Sequence, residues 1–303
     1  MERRNFIKRT MLVTGALSLP LSESTVFAGN AAAQPAAVNF KKSIMWEGIG
    51  IEGSIADKCK AVKEAGFQGI QPSSHMDRKA VIEGAKANGL AITDVCCSTH
   101  WNKPLSHPDA AVRQEGIDGV TIALEDAKEY GTDAILLVPG VVNDTVSYDE
   151  CWKRSIEGIK KLLPIAQKLK IKICVENVWN NFLLSPMEAC QYIDQFKSPY
   201  VQFYFDCGNI LAYGWPEQWI NILGKDRIGR IHIKEYSRQI ADRQGRRLGF
   251  NVPLTEGDVD WAKVMDALRK NYKHEWIATE QGTCKTLDEL KDLNNRFDKI
   301  LSM

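Results

Sequence analysis

"IKICVE" at 171–176, "PMEACQYIDQF" at 186–196 and "VQFYFD" at 201–206 set the rhythm of this chain. The first and third are short runs rich in Ile, Val, Phe and Tyr, side chains that suit a buried pleated surface. Each ends on a carboxylate, Glu176 and Asp206. The middle run opens on Pro186, at a helix start where a missing N–H costs little. A buried strand, a helix and a second buried strand make a parallel βαβ unit.

The same unit recurs on both sides. Strand-like runs stand at 43–49, 67–71, 90–98, 133–138, 228–233 and 275–280. Amphipathic runs stand between and after them, at 54–66, 78–89, 109–131, 148–170, 216–223, 260–271 and 286–301. Apolar residues fall three and four apart, as in Ala61, Val62 and Ala65 or Val264, Met265 and Leu268. Gly66, Gly89 and Gly131 close three of the helices, as C-terminal caps should. Eight strand–helix units predict an α/β fold, a (βα)8 TIM barrel over residues 40–303. An open doubly wound sheet would want a Gly-rich phosphate loop after the first strand, and "GIGIEGS" (48–54) has the wrong spacing. The one long irregular stretch, 237–258, reads as a polar active-site loop or lid.

Residues 1–33 are separate. Arg3, Arg4, Lys8 and Arg9 precede a short apolar run from Met11 to Leu21 and then small residues, the layout of an export signal. The pair Arg3-Arg4 followed by Asn5-Phe6-Ile7-Lys8 resembles a twin-arginine address, with an ordinary secretory signal as the alternative. Cleavage is expected after Ala28 or within Ala31–Ala33, leaving a periplasmic protein with no membrane segment. The first cysteine is Cys59, which argues against a lipid anchor. The eight cysteines have no framework spacing and no CxxC pair, so they read as small core residues rather than disulfides or a thiolate zinc site. Net charge is +1 with no basic run, which points to a small-molecule partner and away from nucleic acid. Homo-oligomerisation stays open.

Active sites of such barrels lie at the C-terminal strand ends. Four successive strands end in Glu176, Asp206, His232 and Glu280. Adjacent strands lie about 4.8 Å apart, so these side chains can converge. A lone strand-end acid is usually a cap, and a lone buried His a bonded core group; four together are harder to explain that way. Three carboxylates and an imidazole with no counter-charge would repel, and a divalent cation resolves this. Oxygen and nitrogen donors without thiolate suit Mn²⁺ first, with Mg²⁺, Co²⁺ and Zn²⁺ also accommodated. Four protein ligands in an octahedral site leave two positions for vicinal substrate oxygens. His100 and Trp101, in "CCSTHWNKPLSHPD" (96–109), are expected to face the pocket as a sugar-stacking pair. His75 is a weaker pocket candidate, and His107 and His274 read as structural or exposed.

"VENVWNNFLLSP" (175–186), "FYFDCGN" (203–209), "IHIKEY" (231–236), "EGDVDWAKVMDALRK" (256–270) and "ATEQG" (278–282) together resemble the xylose isomerase-like (AP endonuclease family 2) barrel superfamily. The resemblance is to its sugar phosphate isomerase/epimerase branch, which holds ketose 3-epimerases and L-ribulose- and L-xylulose-5-phosphate 3-epimerases. It implies that Glu176, Asp206, His232 and Glu280 hold the metal. It implies too that Glu176 and Glu280 move the proton α to a carbonyl through a metal-stabilised enediolate, and that Arg238 binds substrate. Three positions depart from the branch: Gln71 where relatives commonly have Glu, Phe182 where some have Glu, and Asn209 where epimerases often place a substrate-contacting His. The substrate difference is expected at Asn209 and Phe182. The resulting expectation is a sugar isomerase or epimerase acting on an unphosphorylated sugar or keto-sugar. The alternatives are a lyase or deglycosidase of 3-keto-glycosides and a non-enzymatic carbohydrate-binding barrel. The endonuclease relatives use a His-rich three-zinc site, which five histidines do not supply.

Overall fold

A computed structural model describes residues 39–303, and the export-signal reading lies outside them. The described elements are β1 (Lys41–Met45), α1 (Ile55–Ala65), β2 (Gly69–Gln71), α2 (Arg78–Ala87), β3 (Ala91–Ile92), β4 (Val95–Cys96), α3 (Ala110–Tyr130) and β5 (Ala134–Leu137). They continue with α4 (Tyr148–Leu169), β6 (Lys172–Glu176), α5 (Pro186–Asp194), β7 (Val201–Asp206), α6 (Cys207–Leu211), α7 (Pro216–Leu223), β8 (Ile228–Ile233), α8 (Arg238–Gln244), α9 (Trp261–Asn271), β9 (Trp276–Thr279) and α10 (Leu287–Leu301). Every strand pairing is parallel, in the order β3-β2-β1-β9-β8-β7-β6-β5-β4.

The count differs from the expected eight because one strand is split. β3 and β4 are two halves of the run expected at 90–98, interrupted at Thr93–Asp94. Each half pairs with a different neighbour, β3 with β2 and β4 with β5. The two ends of the sheet are therefore consecutive in the chain. The wall closes where Cys96 N–H donates to Pro72 O (2.9 Å) and Ser74 N–H donates to Cys96 O (2.7 Å). The break follows from the polar pair. Asp94 is buried and turns its carboxylate to Gln71 and towards Arg230, inside the barrel. Thr93 uses its hydroxyl on Ser43 Oγ (3.2 Å) and on its own neighbour Asp94 (3.1 Å).

Side-chain alternation along the strands sorts two interiors. Ile173 and Val175, Phe203 and Phe205, and Ile231 and Ile233 belong to the large core between sheet and helices. Cys174, Tyr204, Ala134, Leu136 and Cys96 form a small separate cluster, with Met45 packed on it, within the barrel. Arg230 and His232 occupy the alternate positions of β8. Arg230 ion-pairs with Asp133 and lies 3.7 Å from Asp94 Oδ2, while Asp133 also meets Lys172. Burial works to raise the Asp133 carboxyl, but these two cations outweigh it and bring it down to about 2. Gly66 (φ 102°) and Gly131 (φ 73°) end α1 and α3 in the left-handed region that their lack of Cβ permits. All eight cysteines are free, and seven of them are buried.

Beyond β8 the chain is tied down by Glu235. Its buried carboxylate accepts hydrogen bonds from Trp261 Nε1 (2.7 Å), Thr255 N (3.0 Å), Val259 N (3.1 Å) and Tyr236 N (3.2 Å). "KEY" at 234–236 and "EGDVDW" at 256–261 therefore hold one another. Removing the carboxylate strands several buried donors, each worth roughly 1–3 kcal/mol. Glu235→Ala is expected to lower the thermal midpoint by about 10 °C, with Glu235→Gln losing less, as read by calorimetry. The stretch expected to be an irregular lid, 237–258, is more ordered than that. It contains α8, capped by Ser237, and a 3-10 turn at Arg246–Phe250 whose Gly249 O accepts from Ser237 N (2.8 Å).

Candidate active site

The parallel register brings the four strand-end residues to one place. Asp206 stands opposite His232, His232 opposite Ala278, and Glu280 follows on the same face of the eighth barrel position. His232 Nδ1 lies 3.1 Å from Glu176 Oε1, 3.3 Å from Glu280 Oε2 and 3.9 Å from Asp206 Oδ2. One donor atom from each of the four residues lies within 4.8 Å of all the others. Lys234, on the same face as Arg230 and His232, reaches Glu280 Oε2 at 2.9 Å and Asp206 Oδ2 at 3.8 Å.

The donors fit a divalent cation. Asp206 spends Oδ1 on Asn209 N (2.6 Å), but its Oδ2 is buried with no hydrogen-bond partner. With Lys234 Nζ at 3.8 Å it has a neighbouring charge but no bond, and a buried carboxylate oxygen left so is one that a metal ion would satisfy. Three carboxylates and one imidazole, with no thiolate, are a hard-to-intermediate donor set. The opposite side of the imidazole is also held. His232 Nε2 bonds Gln71 Oε1 (2.9 Å), and Gln71 Nε2 donates to Asp94 and to Tyr204 OH (3.1 Å). An amide oxygen accepts only, so it takes the Nε2–H and leaves Nδ1 facing the carboxylates.

The electrostatics split the two glutamates. Burial pushes Glu176 up, while Glu280, though burial opposes it, is held well below the usual carboxylate range by Lys234 and His232. Burial likewise pushes Asp206 up, to about 7. Burial works to lower His232, but its contacts with Glu176 and Glu280 outweigh that and push it up to about 10.

A cavity of about 510 Å³ opens above this cluster, walled in part by His100, Trp101, Trp179, Asn209, Arg247 and Phe250. His100 is buried and accepts Val138 N–H on Nδ1 (3.2 Å), so Nε2 carries the proton; burial lowers it to about 4, keeping it neutral. Trp101 stands edge-on to it at 5.8 Å and is half exposed. Asn209 lines the cavity with its amide bonded to Asn177 O (2.9 Å).

The family model for the xylose isomerase-like TIM barrel matches residues 59–293. The chain belongs to that family. Within it, the chain is 25% identical over 198 residues to L-ribulose-5-phosphate 3-epimerase UlaE of Escherichia coli O1:K1 / APEC, covering 65% of this chain and 67% of that protein. Among solved structures it is similar to 3-keto-D-glucoside 4-epimerase YcjR from E. coli, with TM-score 0.72, 17% identity, and cover of 87% of this chain and 100% of that one. It is also similar to the IOLI protein with a bound zinc atom, with TM-score 0.71, 14% identity, and cover of 87% and 98%. At these identities the structural likeness is one of fold. The curated relatives are sugar epimerases of the isomerase class.

Two expectations about this xylose isomerase-like barrel are relocated by the structure. Arg238 does not line the cavity. Its guanidinium donates to Leu211 O and Gly214 O (both 3.1 Å) and lies over Trp215, because Ser237 caps α8 and swings the next residue outward. Arg247 lines the cavity instead. Phe182 packs among Tyr148, Trp152 and Tyr192, so that departure from the branch is a core residue and not a substrate contact. Val178 and Trp179 reach the cavity from the same segment. Of the remaining histidines, His75 bonds Ser74 and Ser98 through Nδ1, His107 bonds Asp109 N, and burial lowers His274 to about 4. Lys234 is not among the residues singled out above, although its place two residues past His232 puts it on the same strand face.

Proposed function

We propose that this chain is a divalent-metal-dependent sugar epimerase or isomerase, moving a proton on the carbon next to a carbonyl. The observation that carries this reading is the facing pair Glu176 and Glu280, at 3.1 and 3.3 Å from one imidazole nitrogen on the floor of a sugar-sized cavity. Glu176, Asp206, His232 and Glu280 would hold the ion, for which Mn²⁺ is the first assignment. When bound, it supplies Lewis-acid stabilisation of the negative charge that builds on the substrate oxygens.

The chain's own groups do the rest. Glu280, kept ionised beside Lys234, is the base that takes the proton. Glu176, on the other side of the same imidazole nitrogen, is placed to return a proton to that carbon from the opposite face. His100 offers its Nε2–H to a substrate oxygen, and Trp101, Trp179 and Phe250 offer apolar faces to sugar C–H groups. The arginine-led leader supports a periplasmic enzyme, and so an unphosphorylated sugar or keto-sugar.

A second reading, elimination of the aglycone from a 3-keto-glycoside, uses the same base; the resemblance to a 3-keto-glucoside epimerase supports keto-glycosides as substrates. The test is to incubate Mn²⁺-loaded protein with free ketoses and with 3-keto-glycosides in D₂O and follow products by NMR. Deuterium entering one carbon with inversion and no bond cleavage is the expected result. Release of aglycone selects the elimination. No exchange and no cleavage on any substrate, with sugar still bound, leaves a carbohydrate-binding barrel and overturns both.

A further inference from the structure

A second cavity, of about 350 Å³, adjoins the first. Val178 and Trp179 line both, so the two share a wall. Its remaining lining includes Leu184, Tyr213 and Arg246. Trp179 is a fixed platform: its Nε1–H donates to Asn209 O (2.9 Å), and Phe250 packs on it at 4.8 Å. The Arg246 guanidinium lies 4.6 Å from the Trp179 ring and 5.8 Å from the Tyr213 ring.

That placement sets the guanidinium against two aromatic rings at the wall of the cavity. Arg78, Arg154, Arg227, Arg230 and Arg296 each meet a carboxylate. Among the described residues, neither Arg246 nor its neighbour Arg247 does. Glu256 pairs with Arg296, Asp258 accepts from the backbone of Arg238, and Glu280 pairs with Lys234. A guanidinium set against aromatic rings and meeting no carboxylate is suited to bidentate recognition of a carboxylate or phosphate.

We propose that this cavity is a second subsite, which binds an anionic group carried on a ring or substituent next to the reacting sugar. Arg246 reads the anion through its edge while Trp179 and Tyr213 hold the guanidinium. This rests on the epimerase reading above, leaves the reacting sugar itself unphosphorylated, and extends the substrate by a second, acidic part. The anion is a carboxylate, as on a uronic acid, or a phosphate monoester; the probes separate the two.

The test is calorimetric binding to the Mn²⁺-loaded protein of three ligands: a neutral β-linked disaccharide, the same with a terminal uronate, and the same with a terminal 6-phosphate. At least one acidic ligand is expected to bind about tenfold or more tightly than the neutral one, and that one names the source. In Arg246→Gln the preference is expected to vanish with neutral-ligand affinity retained. Arg246→Lys, which keeps charge but not the planar fork, should retain only part of it. Equal binding of all three ligands, or a preference that survives Arg246→Gln, overturns the proposal. Proton exchange by the wild-type protein on simple ketoses is measured separately. Its failure would sink the epimerase reading without touching the binding ratio.

Discussion

Glu176→Gln and Glu280→Gln are each expected to cut turnover by about 10²–10⁴-fold, and to do so asymmetrically. Glutamine keeps the size and one oxygen of each side chain but cannot take or return a proton. The two positions face one another across His232, and their environments differ: Lys234 lies 2.9 Å from Glu280 Oε2 and is not in contact with Glu176. With one glutamate replaced, the survivor can still exchange the substrate's proton with solvent on its own side. Deuterium should then enter the starting epimer faster than inversion occurs, with one variant exchanging only one epimer and the other only its partner. Equal loss of exchange and inversion from both epimers in both variants would show that the two glutamates act only as ligands. Metal content, measured on each variant, separates that outcome from simple loss of the ion.

The second large effect is expected away from the cavity. Gln71→Leu is expected to weaken Mn²⁺ binding by about 10–100-fold, the usual consequence of removing the partner on the far nitrogen of a ligating histidine. Gln71 accepts from His232 Nε2 and donates to Asp94. Without its oxygen the imidazole loses the acceptor that holds its Nε2–H and turns Nδ1 towards the carboxylates. Asp94→Asn is expected to weaken binding less. The amide can then bond either way, and the Gln71 side chain loses the acceptor that fixes its orientation. Calorimetric metal titrations on the stripped proteins check both. Unchanged affinity in Gln71→Leu would mean that packing alone sets the ring.

Much of this was legible beforehand, for a physical reason. A barrel strand has period two, so a charged residue ending an apolar run is forced to the rim, and four consecutive runs ended that way at Glu176, Asp206, His232 and Glu280. The same periodicity carries Lys234 inward, since 230, 232 and 234 share a face, and it was passed over because a charge past a strand end reads first as loop. The split third strand was hidden: "LAITDVCCS" (90–98) has strand composition throughout, and only the partners of Asp94 reveal why it breaks. Arg238 and Phe182 were misjudged because distance along a loop does not say where a side chain turns. A cap at Ser237 sends one outward, and an aromatic cluster takes in the other. Arg246 and Arg247 lie inside the stretch expected to be an active-site loop or lid, 237–258, where the sequence singles out neither of them.

Barrels of this kind usually keep two ledgers apart, with chemistry at one mouth and stability at the other. Here a thread of polar contacts runs the length of the bore, from Asp133 through Arg230, Asp94 and Gln71 to His232. The two mouths are therefore not free to diverge independently. A redesign that transplants only the upper rim onto another barrel would carry the four ligands without what aims one of them. A substitution at the lower mouth, where inspection would foresee nothing but a stability cost, is in the lineage of the active site.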